Sequence, residues 1–339
     1  MASRDERVKA LFLILEREAP SSRYRVLQYL PYLEKEGFQC QVMEAAKGLS
    51  TRLSSLRGMP SYHLIFVQKR LLSLVEWMAV RVRSRKLVFD FDDAIVYRDS
   101  LAGATPSRTR VKRFRRMVRG CDLVVAGNDY LAALARPEAH RVVTVPTPID
   151  MGRYTEKTSS PSEGVTVGWI GGAGTLFYLE ELHAVLREVC GQFMGVRVKV
   201  VSNAFPDWSD VPLEKKAWNY GEEIQDLHSF DVGIMPLTDD PWARGKCGFK
   251  LLQYMAVGIP VVCSPVGVNR EMVTHAGNGF LAQTPEEWSR KLGRLIQDPA
   301  LRRRMGRAAR ETVMERYSLE TWAGRLAGEL RGVALPERS

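Results

Sequence analysis

The chain has 339 residues, 45% hydrophobic and 26% charged, which is enough for two ordinary domains each burying its own core. The formal charge of +10 lies wholly in residues 1–150, where 26 Lys and Arg face 16 Asp and Glu; the rest of the chain has 23 of each. No run of about 18 apolar residues is available to span a membrane; there is no internal repeat, and the five scattered cysteines without a CxxC exclude a disulfide framework and a zinc site.

The N-terminal stretch carries charges on both sides of a short apolar run and lacks a small-residue cleavage site. It reads as a first strand, "VKALFLIL" (8–15), rather than a signal peptide, and a reducing cytoplasm is the expected location. A helix capped near Ser21 or Ser22 runs to Glu36 and is closed by Gly37. "FQCQVME" follows as a second strand and "YHLIFVQ" (62–68) as a third. An amphipathic helix to about Val82 leads to strands "KLVFDFDD" (86–93), "CDLVVAGN" (121–128) and "RVVTVP" (141–146), with a short helix from Asn128. Residues 146–164, rich in Pro, Ser, Thr and Gly, read as a linker.

After the linker the alternation restarts. Strands are expected at 165–172, 197–202, 231–237 and 260–265, with a short helix and strand in "EMVTHAGNGFLA". Helices are expected at 177–191, near 221–229, from Lys246 to Gly248 onward, at 284–296, 298–316 and 318–332. Strand–helix alternation with short links predicts an α/β chain of two doubly wound parallel-sheet halves, with ligands at the carboxyl ends of the strands and by default in the crevice between the halves.

Between 108 and 120 the sequence "RTRVKRFRRMVRG" is the densest basic run. It reads either as a solvated helix face or as a basic amphipathic segment for an acidic surface. Val111, Phe114, Met117 and Val118 at helical spacing favour anionic lipid over nucleic acid, for which no aromatic and glycine signature is present.

Four stretches of the second half carry chemistry at predicted strand ends. "WIGGAGT" (169–175) has the glycines with which a backbone approaches phosphate, although a tight turn needs them too. "NAFPDWSDV" supplies Asn203, and the nearby Trp218 either flanks a base or packs. "PLTDDPWARGKCGFK" brings Asp239, Asp240, Arg244, Lys246, Gly248, Phe249 and Lys250 to the start of an apolar helix. Lys246, Lys250 and Gln253 would share one face at i, i+4 and i+7. Cations there oppose the helix dipole unless an anion intervenes. "SPVGVNREMV" is a further glycine turn and reads as structural.

In the first half, "FDFDDAIVYR" sets Asp90, Asp92 and Asp93 at a strand end, with Asp90 and Asp92 pointing the same way. Carboxylates there could bind hydroxyls, take a proton or hold a metal, or simply cap and pair with Arg98. Arg23 and Arg25 in "SSRYR" could meet an anionic acceptor or a diphosphate. No Ser/His/Asp or metal-ligand spacing appears.

These residues, above all "FDVGIMPLTDDPWARGKCGFKLLQYMAVGIPVVCSPVGVNREMV" with "GWIGGAGTLFYLEEL" and "VFDFDDAIVYR", resemble a GT-B glycosyltransferase of the broad family 4, across nearly the whole chain. The resemblance implies two Rossmann-like domains facing a cleft, an acceptor domain 1–150 and a donor domain 151–317, with a last helix, 318–333, packing on the first. It implies a retaining, metal-independent transfer from a nucleotide-diphosphate sugar, needing no cofactor. The diphosphate would meet Gly171, Gly172, Ala173, Gly174, Thr175, Arg244, Lys246 and Lys250. Asp92 and Asp93 would orient sugar or acceptor where many members have a histidine, and Asn128, Arg23 and Arg25 would face the acceptor. The family's two glutamates, seven residues apart, fall on Gly245 and Gln253, so Asp239 or Asp240 would replace the first. The acceptor would be a glycan or a lipid-linked or envelope molecule, and 108–120 would hold the protein at the inner membrane face, with no nucleic-acid partner. A GT-B sugar-nucleotide epimerase and a non-catalytic nucleotide-sugar-binding subunit are the alternative readings, and a nucleic-acid-binding protein resting on the basic first half is a third.

Overall fold

The structure, a computed structural model, describes residues 7–44, 62–158 and 164–335; part of the expected linker, 159–163, lies outside them. The chain forms two compact units. The first comprises residues 1–148, 240–247 and 319–339, and the second residues 149–239 and 248–318.

The first unit is a six-stranded parallel sheet of order β2-β1-β3-β4-β5-β6, built from Val8–Ile14, Phe38–Glu44, Leu64–Gln68, Lys86–Phe91, Leu123–Ala126 and Val142–Thr144 in chain order as β1 to β6. Its central strands are continuous apolar runs because both faces are covered. Leu11, Ile65, Phe89 and Val124 point to one layer, while Phe12, Phe66, Val88 and Val125 point to the other. The helix expected from Ser21 to Glu36 is broken into α1 (Pro20–Arg25), a 3-10 turn (Leu27–Tyr29) and α2 (Leu30–Lys35). Pro31 explains the break: its ring crowds the carbonyl four residues back and it offers no N–H. Gly37 ends the helix at φ +82°, as its position in the sequence requires. Helix α3 (Leu74–Arg83) opens with a Ser73–Glu76 capping box, α4 (Arg108–Gly120) with Ser107, and α5 (Asp129–Ala135) with Asn128.

The second unit is also six-stranded and parallel, of order β12-β11-β10-β7-β8-β9, with β7 Val165–Ile170, β8 Val196–Ser202, β9 Leu213–Ala217, β10 Val232–Met235, β11 Val261–Cys263 and β12 Gly279–Leu281. Its helices are α6 (Leu176–Glu180), α7 (His183–Gln192), α8 (Glu223–His228), α9 (Phe249–Ala256), α10 (Asn269–Met272), α11 (Pro285–Gln297) and α12 (Pro299–Arg316). Strand β9, "LEKKA", was not expected: it is an edge strand, largely exposed, whose charges suit an edge and give no apolar alternation to read. The final helix, α13 (Leu319–Ala334), belongs to the first unit, where Leu326 and Leu330 pack on the layer of Phe12 and Phe66.

Candidate active site

In the first unit the polar residues gather at the carboxyl ends of β3, β4 and β5. Asp92 and Asp93 follow β4, and both are held by a residue the sequence did not single out, Lys69. Its ammonium lies 3.1 Å from Asp92 Oδ1 and pairs with Asp93. Lys69 stands at φ +55°, a left-handed conformation that a lysine adopts only when its surroundings enforce it; its own amide donates to the Asp90 carbonyl at 2.7 Å. Burial works against the Lys69 ammonium, but the charges of Asp92 and Asp93 outweigh it and raise its pKa. Burial likewise opposes the Asp92 carboxylate, but Lys69 and then Arg25 bring it below the ordinary range. A cation one residue past β3, level with acids just past β4, is the sequence signal by which Lys69 could have been found.

Arg25 does not face an acceptor. It is 2% exposed and grips the equally buried Asp90 with Nε at 3.2 Å and with Nη2, while Nη1 donates to the Val145 carbonyl at 2.6 Å. Asp90 is sealed by this pair. Arg23 pairs with the exposed Glu18. Asn128 is also spent internally. Its Oδ1 accepts from the Leu131 amide at 2.8 Å, and its Nδ2 donates to the carbonyls of Gly245 (3.3 Å) and Lys246 (3.2 Å).

Segment 240–247 is part of this unit. Asp240 accepts from the Ala243 amide at 2.8 Å and so caps a helical turn, Pro241–Arg244, that had no apolar period to announce it. Arg244 is exposed, and the Lys246 ammonium sits 5.4 Å from the Trp242 ring centre. The Cys247 thiol donates to the Asp92 carbonyl at 3.1 Å. Gly245 has a packing reason: a Cβ there would come within 2.5 Å of the Ala94 Cβ and 2.7 Å of its amide nitrogen. A glutamate at this position is therefore excluded by the backbone around it, not merely replaced.

The second unit gathers its residues at the ends of β7, β8 and β10. Helix α9 begins at Phe249, after Gly248 at φ +66°, so Lys246 precedes the helix and the expected single face of Lys246, Lys250 and Gln253 does not form. Lys250 reaches the glycine turn. Its ammonium donates to Thr175 Oγ1 at 3.0 Å and lies 4.2 Å from the Trp169 ring centre. Thr175 Oγ1 donates in turn to the Gly172 carbonyl at 3.0 Å, and the exposed Asn203 accepts from the Ala173 amide at 2.9 Å, so the turn is fixed from both sides with Gly172, Ala173 and Gly174 facing solvent. At Gly171 a Cβ would fall 2.6 Å from the Trp169 ring and against the Lys250 ammonium. Gly171→Ala is expected to push Lys250 off the turn and weaken the binding of an anion there about tenfold or more, read by ligand titration.

Gln253 is buried, and its Nε2 donates to Tyr154 Oη at 3.2 Å. Tyr154 donates to Glu223 Oε1 at 2.7 Å, and Trp218 Nε1 donates to Glu223 Oε2 at 3.0 Å. A glutamate at 253 could not donate into this chain and would add a second buried carboxylate, which accounts for glutamine. Trp218 keeps a half-exposed ring while its N–H is taken, and Asp239 is exposed. Tyr154 and Glu223 were not anticipated, since neither stands in a glycine or cation cluster. Among the described residues no group of three His, Cys, Asp or Glu is placed to hold a metal ion.

Two six-stranded parallel sheets flanked by helices, with polar residues at the strand ends, are two Rossmann-like domains of the GT-B fold. Residues 222–312 match the family described as Glycosyl transferases group 1. A 146-residue stretch is 29% identical to an uncharacterized glycosyltransferase of Methanocaldococcus jannaschii, covering 42% of this chain and 33% of that protein, so the match spans a third of the relative's length. Among solved structures, the chain is similar to a sucrose-phosphate synthase from Thermosynechococcus elongatus (TM-score 0.73, 15% identity, 96% of this chain and 98% of that chain). It is similar also to HepE from Anabaena in complex with UDP and glucose (TM-score 0.73, 16% identity, 96% and 100%). Among the described residues no helix is long and apolar enough to cross a membrane.

Proposed function

We propose that the protein is a retaining, metal-independent glycosyltransferase of the family 4 type, moving a hexosyl or related group from a nucleotide-diphosphate sugar to an acceptor hydroxyl. The observation that carries this reading is Lys250. A cation from α9 is set on an exposed glycine turn at the end of β7, over the buried ring of Trp169, so that backbone and ammonium together offer a place for an anion. That HepE was solved with UDP-glucose supports a nucleotide-sugar donor.

In this mechanism the bond from the anomeric carbon to the diphosphate oxygen breaks, and the Lys250 ammonium with the amides of the turn stabilises the departing charge. The acceptor oxygen bonds to the same carbon on the face the diphosphate leaves, and its proton passes to the departing oxygen. Asp92 and Asp93, both paired with Lys69, orient sugar and acceptor hydroxyls. The resemblance assigns Arg244 and Lys246 to the same diphosphate and Asp239 or Asp240 to the sugar. The acceptor is assigned to glycan or lipid-linked envelope synthesis, at the cytoplasmic face of a membrane.

Thermal-shift screening against UDP-, GDP-, ADP- and dTDP-sugars tests it. One of them is expected to raise the apparent stability by about 2.7 kcal/mol at roughly a hundredfold its Kd. No response to any would refute donor binding. A shift without transfer to any acceptor would favour the non-catalytic subunit, and recovery of an epimerised sugar nucleotide would favour the epimerase.

A further inference from the structure

Of the ten large hydrophobic residues exposed among the described residues, four lie on the single helix α3: Leu74 (55% exposed), Val75 (52%), Met78 (51%) and Val82 (84%). At about 100° per residue they fall within roughly a quarter of the helix circumference. The opposite side of α3 already serves the fold, through Val80 in the core and Glu76 in the capping box. The outward stripe is therefore not needed to hold α3 in place.

Helix α4 lies beside it. Arg108, Lys112, Arg115 and Arg119 recur at i, i+4, i+7 and i+11, a row along one side of α4. With Leu74 and Trp77 of α3 they line an open groove of about 710 Å³. Helix α4 carries seven cations and no acid. The neighbouring acids are already committed: Glu138 to both Arg115 and Arg119, Asp122 to Lys86 and Arg81, Glu76 to Arg70. One acid for two arginines leaves the row net cationic. The structure also corrects the sequence reading of 108–120. Phe114, Met117 and Val118 are core residues, and Val111 is partly buried against the same core, so this helix has no free apolar face to insert.

We propose that the α3–α4 face docks the protein on an anionic lipid bilayer, with Leu74, Val75, Met78 and Val82 entering the interface and the cations of α4 meeting lipid phosphates. The two requirements of interfacial binding, apolar area and positive charge, are divided between adjacent helices. Nucleic acid fits less well, because an outward aliphatic stripe gains nothing against a phosphate backbone. The proposal names the surface behind the membrane-face assignment above, but its test needs no turnover, so an inactive chain would still answer it.

The test is co-sedimentation of the full chain with vesicles of phosphatidylcholine alone or with phosphatidylglycerol added, at about 0.15 M salt. Retention on the anionic vesicles is expected to exceed that on the neutral ones about tenfold or more. It should fall by a similar factor in Met78→Glu/Val82→Glu and in Arg108→Glu/Lys112→Glu, with circular dichroism confirming folded protein. Met194→Glu, at a fully exposed position of the second unit, is expected to retain full binding. The proposal is overturned by no retention on anionic vesicles, or by retention indifferent to the α3 pair. It is equally overturned if poly(U) RNA binds instead and is lost with the α4 pair. Loss of a dimer in the α3 variant, without any vesicle effect, would make the face an interface between copies and likewise end it.

Discussion

Lys250→Met is expected to lower kcat about 10²- to 10³-fold, roughly 2.7–4 kcal/mol of transition-state stabilisation, while leaving the fold intact. The reasoning starts from what the side chain touches. Its ammonium lies 4.2 Å from the Trp169 ring centre, donates to Thr175 Oγ1 and occupies the space a Cβ at Gly171 would take. Methionine keeps the stem and its packing and removes only the charge. Lys250 is half-buried, so no buried partner is left unpaired and the thermal midpoint should move little. Lysine placed there for stability alone would show the reverse, a lowered midpoint with normal turnover. Lys250→Arg is not expected to restore activity, because a planar guanidinium needs room that the Gly171 contact denies. Lys246→Ala is predicted to give a comparable loss only if its ammonium also meets the diphosphate. Steady-state transfer rates with thermal unfolding of the same samples check all three. Unchanged kcat in Lys250→Met would remove the diphosphate role.

The α/β alternation was legible because buried parallel strands are near-continuous Val, Ile and Leu runs, and the glycine turn and Lys250 were legible because they stand out against them. Strand β9 escaped because an edge strand needs no apolar face, and Pro241–Arg244 because one helical turn has no period. The site was read less completely for a different reason. Arg25 and Asn128 looked like ligand residues by type and place, yet each is consumed by a partner more than 60 residues away in sequence, Asp90 for the one and the carbonyls of Gly245 and Lys246 for the other. Lys69 was missed for the converse reason: its importance lies in acids on the next strand. Gly245 is explained only by its neighbours in space. The sequence reports a missing glutamate, and only the contact with Ala94 says that none could be accommodated.

Arg25→Met is expected to destabilise the protein by about 3–5 kcal/mol, since removing one partner of a buried pair strands the other. Asp90 is 1% exposed, and the Val145 carbonyl would lose its donor as well. The cost should depend on pH. Burial pushes the Asp90 carboxyl up to about 6 even while the Arg25 guanidinium opposes it, and without that guanidinium it moves higher. A carboxyl whose folded pKa lies above its unfolded value contributes stability that is present at low pH and lost as pH rises through the folded pKa. The wild type completes that loss near pH 6, whereas the variant continues to lose stability above it. The gap between them should therefore be smaller at about pH 5 than at about pH 8, as read by urea unfolding at each. Adding Asp90→Asn should recover much of the loss and flatten the difference, because the buried charge is then gone. An equal gap at both pH values would show that Asp90 carries no uncompensated charge in the variant. A role for Arg25 in acceptor binding predicts something else, a raised acceptor KM in protein of undiminished stability. The two outcomes separate a residue that builds the floor of the first unit from one that meets a substrate.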